Sequence, residues 1–305
     1  MGNANANRIH STSRLSSQKK SEILLASVII ARSTSLIFSK IALGSFETFN
    51  LLALRFIIAF ILLGVVFFRK LIHITKKELI YGMILGAIFT SLLSMELLGL
   101  RRTDSGTTSF IENSAMIFVP VFQLILFRKR PVGTDIIRII LALGGIAVLT
   151  LGGSGGLLKG GSLFLICAAL FYAAAIITTA RFSRECDPLM LGIVQVGTVG
   201  VLSLIISLIT ESPHLPGTAK EWLMILALAV ICSGFGFTLQ PMAQRGTTAE
   251  RAGMMCAISP MSAAMLGIIF LQEQITAAKI IGCVLIMASL IAEPVIKRMT
   301  LKLKS

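Results

Sequence analysis

Long apolar runs, separated by short polar or glycine-rich breaks, set the pattern of the chain. The runs are Ile23–Ile30, Leu51–Phe68, Ile136–Leu151, Leu163–Ile177, Leu189–Ile209, Leu223–Phe237 and Ile280–Ala292. A helix crossing the hydrocarbon core of a bilayer needs about 20 mostly apolar residues, with a range of roughly 17–25. Each run reaches that length when extended into its flanks, and one-sided amphipathic stripes, which a large soluble helical protein needs, are almost absent. The pattern predicts spanning helices at 23–43, 49–68, 79–99, 106–127, 135–152, 161–180, 189–209, 221–241, 248–271 and 277–296, with boundaries good to about 2–4 residues. The expected fold is an all-α membrane protein of ten transmembrane helices. Several edges are marked by charge or by turn residues: Arg69 and Lys70, Arg128-Lys129-Arg130-Pro131, the loop from Glu211 to Gly217, and the glycine-rich stretch Gly152–Gly161.

Composition agrees. Of the 305 residues, 55% are hydrophobic and 14% are charged, against about 25% charged in a typical soluble domain. The net charge of +14 raises the question of nucleic-acid binding. The cations lie in short clusters between apolar runs, not along one helix face, so a nucleic-acid partner is not expected. Counted on alternate sides of the ten spans, one side holds nineteen Lys and Arg, the other six, and three fall within spans. By the positive-inside rule both termini are cytoplasmic and the protein is a multi-pass component of the cytoplasmic membrane. Residues 1–21 read as a polar cytoplasmic tail followed by a retained span, not as a cleaved signal. The cysteines Cys167, Cys186, Cys232, Cys256 and Cys283 form no CxxC pair and read as free core residues, with no metal site and no cofactor expected.

Sliding the chain against itself by 144 residues aligns Arg101 with Arg245, Thr103 with Thr247, Ile125 with Ile269, Ile137 with Ile281 and Leu141 with Leu285. It also sets Glu96 against Gln240. The identities are few, but hydropathy follows the same plan: five spans, a glycine loop, five spans. An odd number of spans per copy inserts the second copy upside down. The expected organisation is therefore a tail at 1–21, a first repeat at 22–152, a linker at 153–160, an inverted second repeat at 161–296 and a cytoplasmic tail at 297–305. Secondary transporters are often built this way, with the substrate site near the midplane between the repeats.

Particular residues carry a resemblance across about 22–296. They are Phe38-Ser39-Lys40-Ile41-Ala42-Leu43, Leu54-Arg55-Phe56, the segment Thr103–Ile111, Phe118-Val119-Pro120-Val121 and Lys129-Arg130-Pro131 in the first half. In the second half they are Ala169-Leu170-Phe171-Tyr172-Ala173, Ser259-Pro260 and Leu271-Gln272-Glu273-Gln274. In order and spacing the chain resembles an EamA-type transporter of the drug/metabolite transporter superfamily, two five-helix repeats that move small organic solutes. Two departures stand out. Such proteins usually read Trp-Gly where this chain has Arg32-Ser33, and Gly-Glu where it has Gln272-Glu273. The first implies either an altered substrate or a copy that has lost activity.

Charges inside a span are the strongest candidates for function, because Arg or Asp at a helix centre costs about 2.5–3.5 kcal/mol on insertion. Arg32 lies about nine residues, or roughly 14 Å, into the first span. It heads the polar run Arg32-Ser33-Thr34-Ser35. It is expected either to face a central cavity and bind an anionic group, or to form a structural Arg–Glu pair. Glu112, beside Asn113, and Glu96 are candidate substrate or proton-coupling carboxylates; Glu96 also reads as an interfacial residue near Arg101. Arg55 reads as a cavity residue or a snorkelling one. Tyr172, Gln195 and Gln240 occupy mirrored spans, as cavity residues or as helix–helix hydrogen-bonding groups. Pro120, Pro241 and Pro260 are candidate kinks, and Gly82 with Gly86 a close helix contact.

Three function classes follow. A secondary transporter exporting a small amino-acid-like or drug-like solute by alternating access fits best, driven by a solute or ion gradient, with protons as candidate coupling ion. A lining with both Arg and Glu points toward zwitterions. An intramembrane enzyme is disfavoured because His10, His73 and His214 all lie in the tail or loops. A non-transporting sensor or degenerate copy is the remaining alternative. The sequence leaves monomer and homodimer open.

Overall fold

The structure, a computed structural model, describes residues 23–24, 27–115, 118–119, 122, 140–141, 143–145, 147–148, 161–245 and 258–288. The two tails, the linker at 153–160, Pro120, Arg138, Cys256 and most of the expected fifth span lie outside these residues. All regular structure among the described residues is helical. Apart from a single turn at Phe68–Leu71, the main helices among the described residues are α1 (27–42), α2 (Thr48–Val66), α3 (Lys76–Leu100), α4 (Ser105–Asn113), α5 (Ser162–Glu185), α6 (Pro188–Thr210), α7 (Ala219–Ala227), α8 (Ile258–Leu271) and α9 (Ala277–Ala288). From α7 the helix continues through a π-helical stretch, Leu228–Phe237, into Thr238–Arg245.

Polar punctuation sets the helix starts. Thr75 and Glu78 form a capping box at α3, the Thr75 hydroxyl accepting from the Glu78 amide at 3.2 Å and the Glu78 carboxylate from the Thr75 amide at 2.9 Å. Thr218 and Glu221 repeat it at α7. Asp104 caps α4, and Asp187 followed by Pro188 starts α6. Among the described residues, five helices between these stops are long and apolar enough to cross a membrane: Thr48–Val66, Lys76–Leu100, Ser162–Glu185, Pro188–Thr210 and Ala219–Ala243. Shorter apolar helices cover Ser262–Leu271 and Ala277–Ala288.

The distribution of side chains suits lipid. Val65, Val66, Leu208, Ile209 and Leu223 are all exposed on the outside of the bundle, while Ser94, Thr108, Ser109, Ser203 and Ser207 are buried. The exposed aliphatic surface is what hydrocarbon solvates, and buried hydroxyls such as those of Ser94 and Thr108 donate to the carbonyls of Thr90 at 2.7 Å and Asp104 at 2.9 Å. The core joins Leu51, Phe56, Phe89, Leu93 and Phe237. Phe237 meets Phe56 and Phe89 edge-on, at 5.4 and 5.6 Å between ring centres.

Helix packing follows small residues. Gly82 and Gly86 let α3 close on α6: a Cβ at Gly82 would lie 2.5 Å from Val194 Cβ, and one at Gly86 2.3 Å from Thr198 Cβ. α2 packs on α6 as well as on the π stretch. The π stretch ends at Phe237, four residues before Pro241, whose ring lacks an N–H and crowds the carbonyl of residue i−4.

Polar ties fasten both ends. At the end where α3 starts, Lys77 pairs with Glu185 at 2.8 Å, and Tyr81 stacks on Phe182 with ring centres 4.0 Å apart. At the other end, Lys40 donates to the carbonyls of Leu100 and Thr103, and Arg101 donates to the carbonyl of Phe46 at 2.7 Å. There Glu273 accepts from the Ser105 amide and hydroxyl, both at 2.7 Å, and Lys279 pairs with Asp104 at 3.1 Å. These ties also fix helix direction. α1 runs toward the Lys40 end, whereas α5 begins beside Gly99 at that end and runs away to Glu185.

Candidate functional site

Between the two tied ends lies a polar cavity. Its wall contains Arg32, Ser35, Arg55, Glu96, Glu112, Asn113 and Tyr172, seven of the nine candidate residues, together with Leu93, Phe237 and Ser259. The elements that bring them are α1 (Arg32, Ser35), α2 (Arg55), α3 (Glu96), α4 (Glu112, Asn113) and α5 (Tyr172), with Phe237 from the π stretch and Ser259 from α8. Both halves of the chain therefore contribute. The cavity has a volume of about 30 Å³, room for about two water molecules.

Arg32 is the most connected group. Its Nη2 meets Glu112 Oε1 at 3.1 Å, and its Nη1 donates to Tyr172 Oη at 2.9 Å and to Gln240 Oε1 at 3.2 Å. The guanidinium also lies 4.9 Å from the ring centres of Tyr172 and of Phe237. The two sequence readings of Arg32 thus coincide in one place: it forms an Arg–Glu pair, and the pair lines the cavity. Gln240 does not line the cavity but reaches it through this bond.

Arg55 is buried, at 1% exposure. It does not snorkel. Its Nη1 donates to Ser35 at 3.2 Å and Ser39 at 3.0 Å, its plane lies over Phe56, and its Nε–H has no partner. Glu96 is also buried, and among the described residues it accepts no hydrogen bond. Asn113 turns back on its own helix, donating to the Ser109 carbonyl at 2.8 Å. Gln195 is not brought to the cavity. It is buried within α6, its Oε1 without a partner.

Sequence reasoning missed Phe237 and Ser259. Phe237 gave no signal inside an apolar run. Ser259 stood in the Ser-Pro motif, and its hydroxyl accepts from Ser33 at 3.1 Å. A larger cleft of about 650 Å³ lies between α4, α8 and α9. Its walls are aliphatic, and its charges are already engaged, Asp104 with Lys279 and Glu273 with Ser105. Among the described residues no group of three or more His, Cys, Asp or Glu is placed to hold a metal ion.

With two arginines and two glutamates, the cavity is formally neutral, and it can hold a small polar group away from lipid. Comparison with known proteins bears on what such a cavity serves. The chain is 24% identical over 198 residues to an uncharacterized transporter of Archaeoglobus fulgidus; the match covers 65% of this chain and spans 63% of the length of that relative. A crystal structure of a protein 17% identical in sequence has the same fold, with a TM-score of 0.67 over 92% of this chain and 99% of its own. The EamA-like transporter family matches twice, at residues 19–151 and again at 159–292. The chain belongs to the EamA-like transporter family, and with it to the drug/metabolite transporter superfamily.

Proposed function

We propose that this chain is a secondary transporter that carries a small organic solute, amino-acid-like or drug-like, outward across the cytoplasmic membrane by alternating access at the Arg32–Arg55–Glu96–Glu112 cavity. In this reading it crosses the membrane ten times, as two inverted five-helix repeats at 22–152 and 161–296, with both termini in the cytoplasm. The observation that carries it is the gathering of four ionisable side chains around one cavity inside an apolar bundle. Buried charge of this kind is costly and is kept where a pathway needs it.

The cavity draws its walls from both halves, and ties fasten both ends. A rocking of one half against the other opens one end while the other stays tied. At about 30 Å³ the cavity is contracted, so a solute enters only when the helices part. The carboxylates supply a route for proton coupling: a carboxylate that exchanges its proton as the open side alternates links a pH gradient to solute movement.

The test is uptake by proteoliposomes of a panel of amino acids, amines and sugars, with and without a pH gradient, comparing wild type with Glu112→Gln and Arg32→Ala. Transport of one class, lost in either folded variant, supports the reading. One observation favours a second reading, a copy without transport: Arg32 is held by three partners in place of the Trp of its relatives. A folded wild type that moves nothing, with transport restored by Trp-Gly at 32–33, decides for that second reading.

A further inference from the structure

The cavity's charges are equal in number but not matched in pairs. Arg32 is consumed by Glu112, Tyr172 and Gln240. Arg55 has only the neutral hydroxyls of Ser35 and Ser39, its Nε–H is unpartnered, and no carboxylate lies within the 4.0 Å of an ion pair. Glu96 is in the complementary position. It lines the same cavity, is 7% exposed, and has neither a hydrogen bond nor an ion pair among the described residues. One buried cation and one buried carboxylate thus border a common space, each without a counter-charge in contact.

Resting on the transporter reading above, we propose that Arg55 and Glu96 are the two poles of a zwitterion site: Arg55 takes the carboxylate of the solute and Glu96 its ammonium group. The guanidinium offers the donors that a carboxylate accepts: Nη1 is engaged by the two serines, whereas Nε–H and, among the described residues, Nη2 form no hydrogen bond. A simple anion leaves Glu96 uncompensated, and a simple cation leaves Arg55 so. A molecule carrying both charges satisfies the two in one binding event, which sets selectivity against its singly charged analogues. Arg55 stands on α2 and Glu96 on α3, and the serines that orient Arg55 stand on α1. Both poles belong to the first half of the chain, on helices that each pack against α6 of the second half. The Arg32–Glu112 pair, joined across to Tyr172 and Gln240 of the second half, closes the cavity beside them.

The test is uptake by proteoliposomes of neutral amino acids, each measured beside its decarboxylated amine and its deaminated acid, for instance leucine, isopentylamine and 4-methylpentanoate. Wild type is expected to carry an amino acid at least tenfold better than either analogue. Glu96→Gln is expected to abolish the preference over the acid, and Arg55→Gln the preference over the amine. If Arg55→Gln does not fold, Glu96→Gln and the wild-type comparison of the three ligands carry the test alone. Equal handling of the amine or the acid by wild type, or unchanged selectivity in Glu96→Gln, overturns the zwitterion site. Transport restricted to uncharged solutes overturns it too but keeps the transporter. A folded wild type that moves no solute of any class sinks both.

Discussion

Arg32 and Glu112, 80 residues apart in sequence, meet through a 3.1 Å ion pair at the wall of the central cavity. Removing one member leaves the other buried with its charge unbalanced, which costs about 3–5 kcal/mol in comparable sites. Arg32→Met is therefore expected to lower the thermal stability of the detergent-solubilised protein sharply. Arg32→Met combined with Glu112→Leu is expected to recover much of the loss. A double variant no more stable than the single one shows that the cost lies in Arg32's other contacts, to Tyr172, Gln240 and Phe237.

Gln272 carries the one positive φ of a non-glycine residue among the described residues, 56°. A side chain there costs roughly 1–2 kcal/mol, because Cβ crowds the backbone in the left-handed region. This gives a physical reason for the Gly-Glu pair usual in the chains this one resembles. Glycine takes the turn without strain and leaves the glutamate free to cap α4, as Glu273 does at Ser105. Gln272→Gly is expected to stabilise the protein by about 1 kcal/mol, read as a higher Tm with unchanged transport.

Gly192 and Gly64 predict opposite signs. A Cβ at Gly192 would fall 2.5 Å from the carbonyl oxygen of Thr238, a backbone atom that cannot step aside, whereas one at Gly64 would meet nothing within 4 Å. Gly192→Ala is expected to destabilise by about 1–3 kcal/mol through overpacking. Gly64→Ala is expected to stabilise by about 0.5–1 kcal/mol through helix propensity. Unfolding curves of both variants in the same detergent check the pair.

What the sequence revealed and what it hid follow one physical line. Arg32, Arg55, Glu96 and Glu112 were visible because charge in an apolar run is expensive wherever it occurs, a property read one residue at a time. That Arg32 takes Glu112 while Arg55 and Glu96 are left without contact depends on which helices face each other, and no spacing along the chain encodes that. The 144-residue offset came closer, since Glu96 and its counterpart Gln240 both come to the Arg32 site, one through the cavity wall and one through a hydrogen bond. Gln195 is the miss: a polar residue on an apolar helix reads the same whether it faces a cavity or a packed helix. The π stretch at Leu228–Phe237 was also unread, although Ser233, Gly234 and Gly236 loosen it and Pro241 follows. Its widened turns carry Phe237 into the wall under Arg32. That aromatic slot, walled by Tyr172 and Phe237, suits a flat group such as the Arg32 guanidinium.

The measurement that tests the central claim most directly is side-resolved labelling of a Ser35→Cys variant. It is made in a background from which Cys167, Cys186, Cys232, Cys256 and Cys283 are removed. Ser35 lines the cavity and is 7% exposed, and serine to cysteine changes its size little. A membrane-impermeant thiol reagent is applied from each face of oriented vesicles. If the cavity is the solute path, residue 35 reacts from either face, and a transported solute slows both reactions. Reaction from one face only, or from neither, under every gradient and solute tried, contradicts the account.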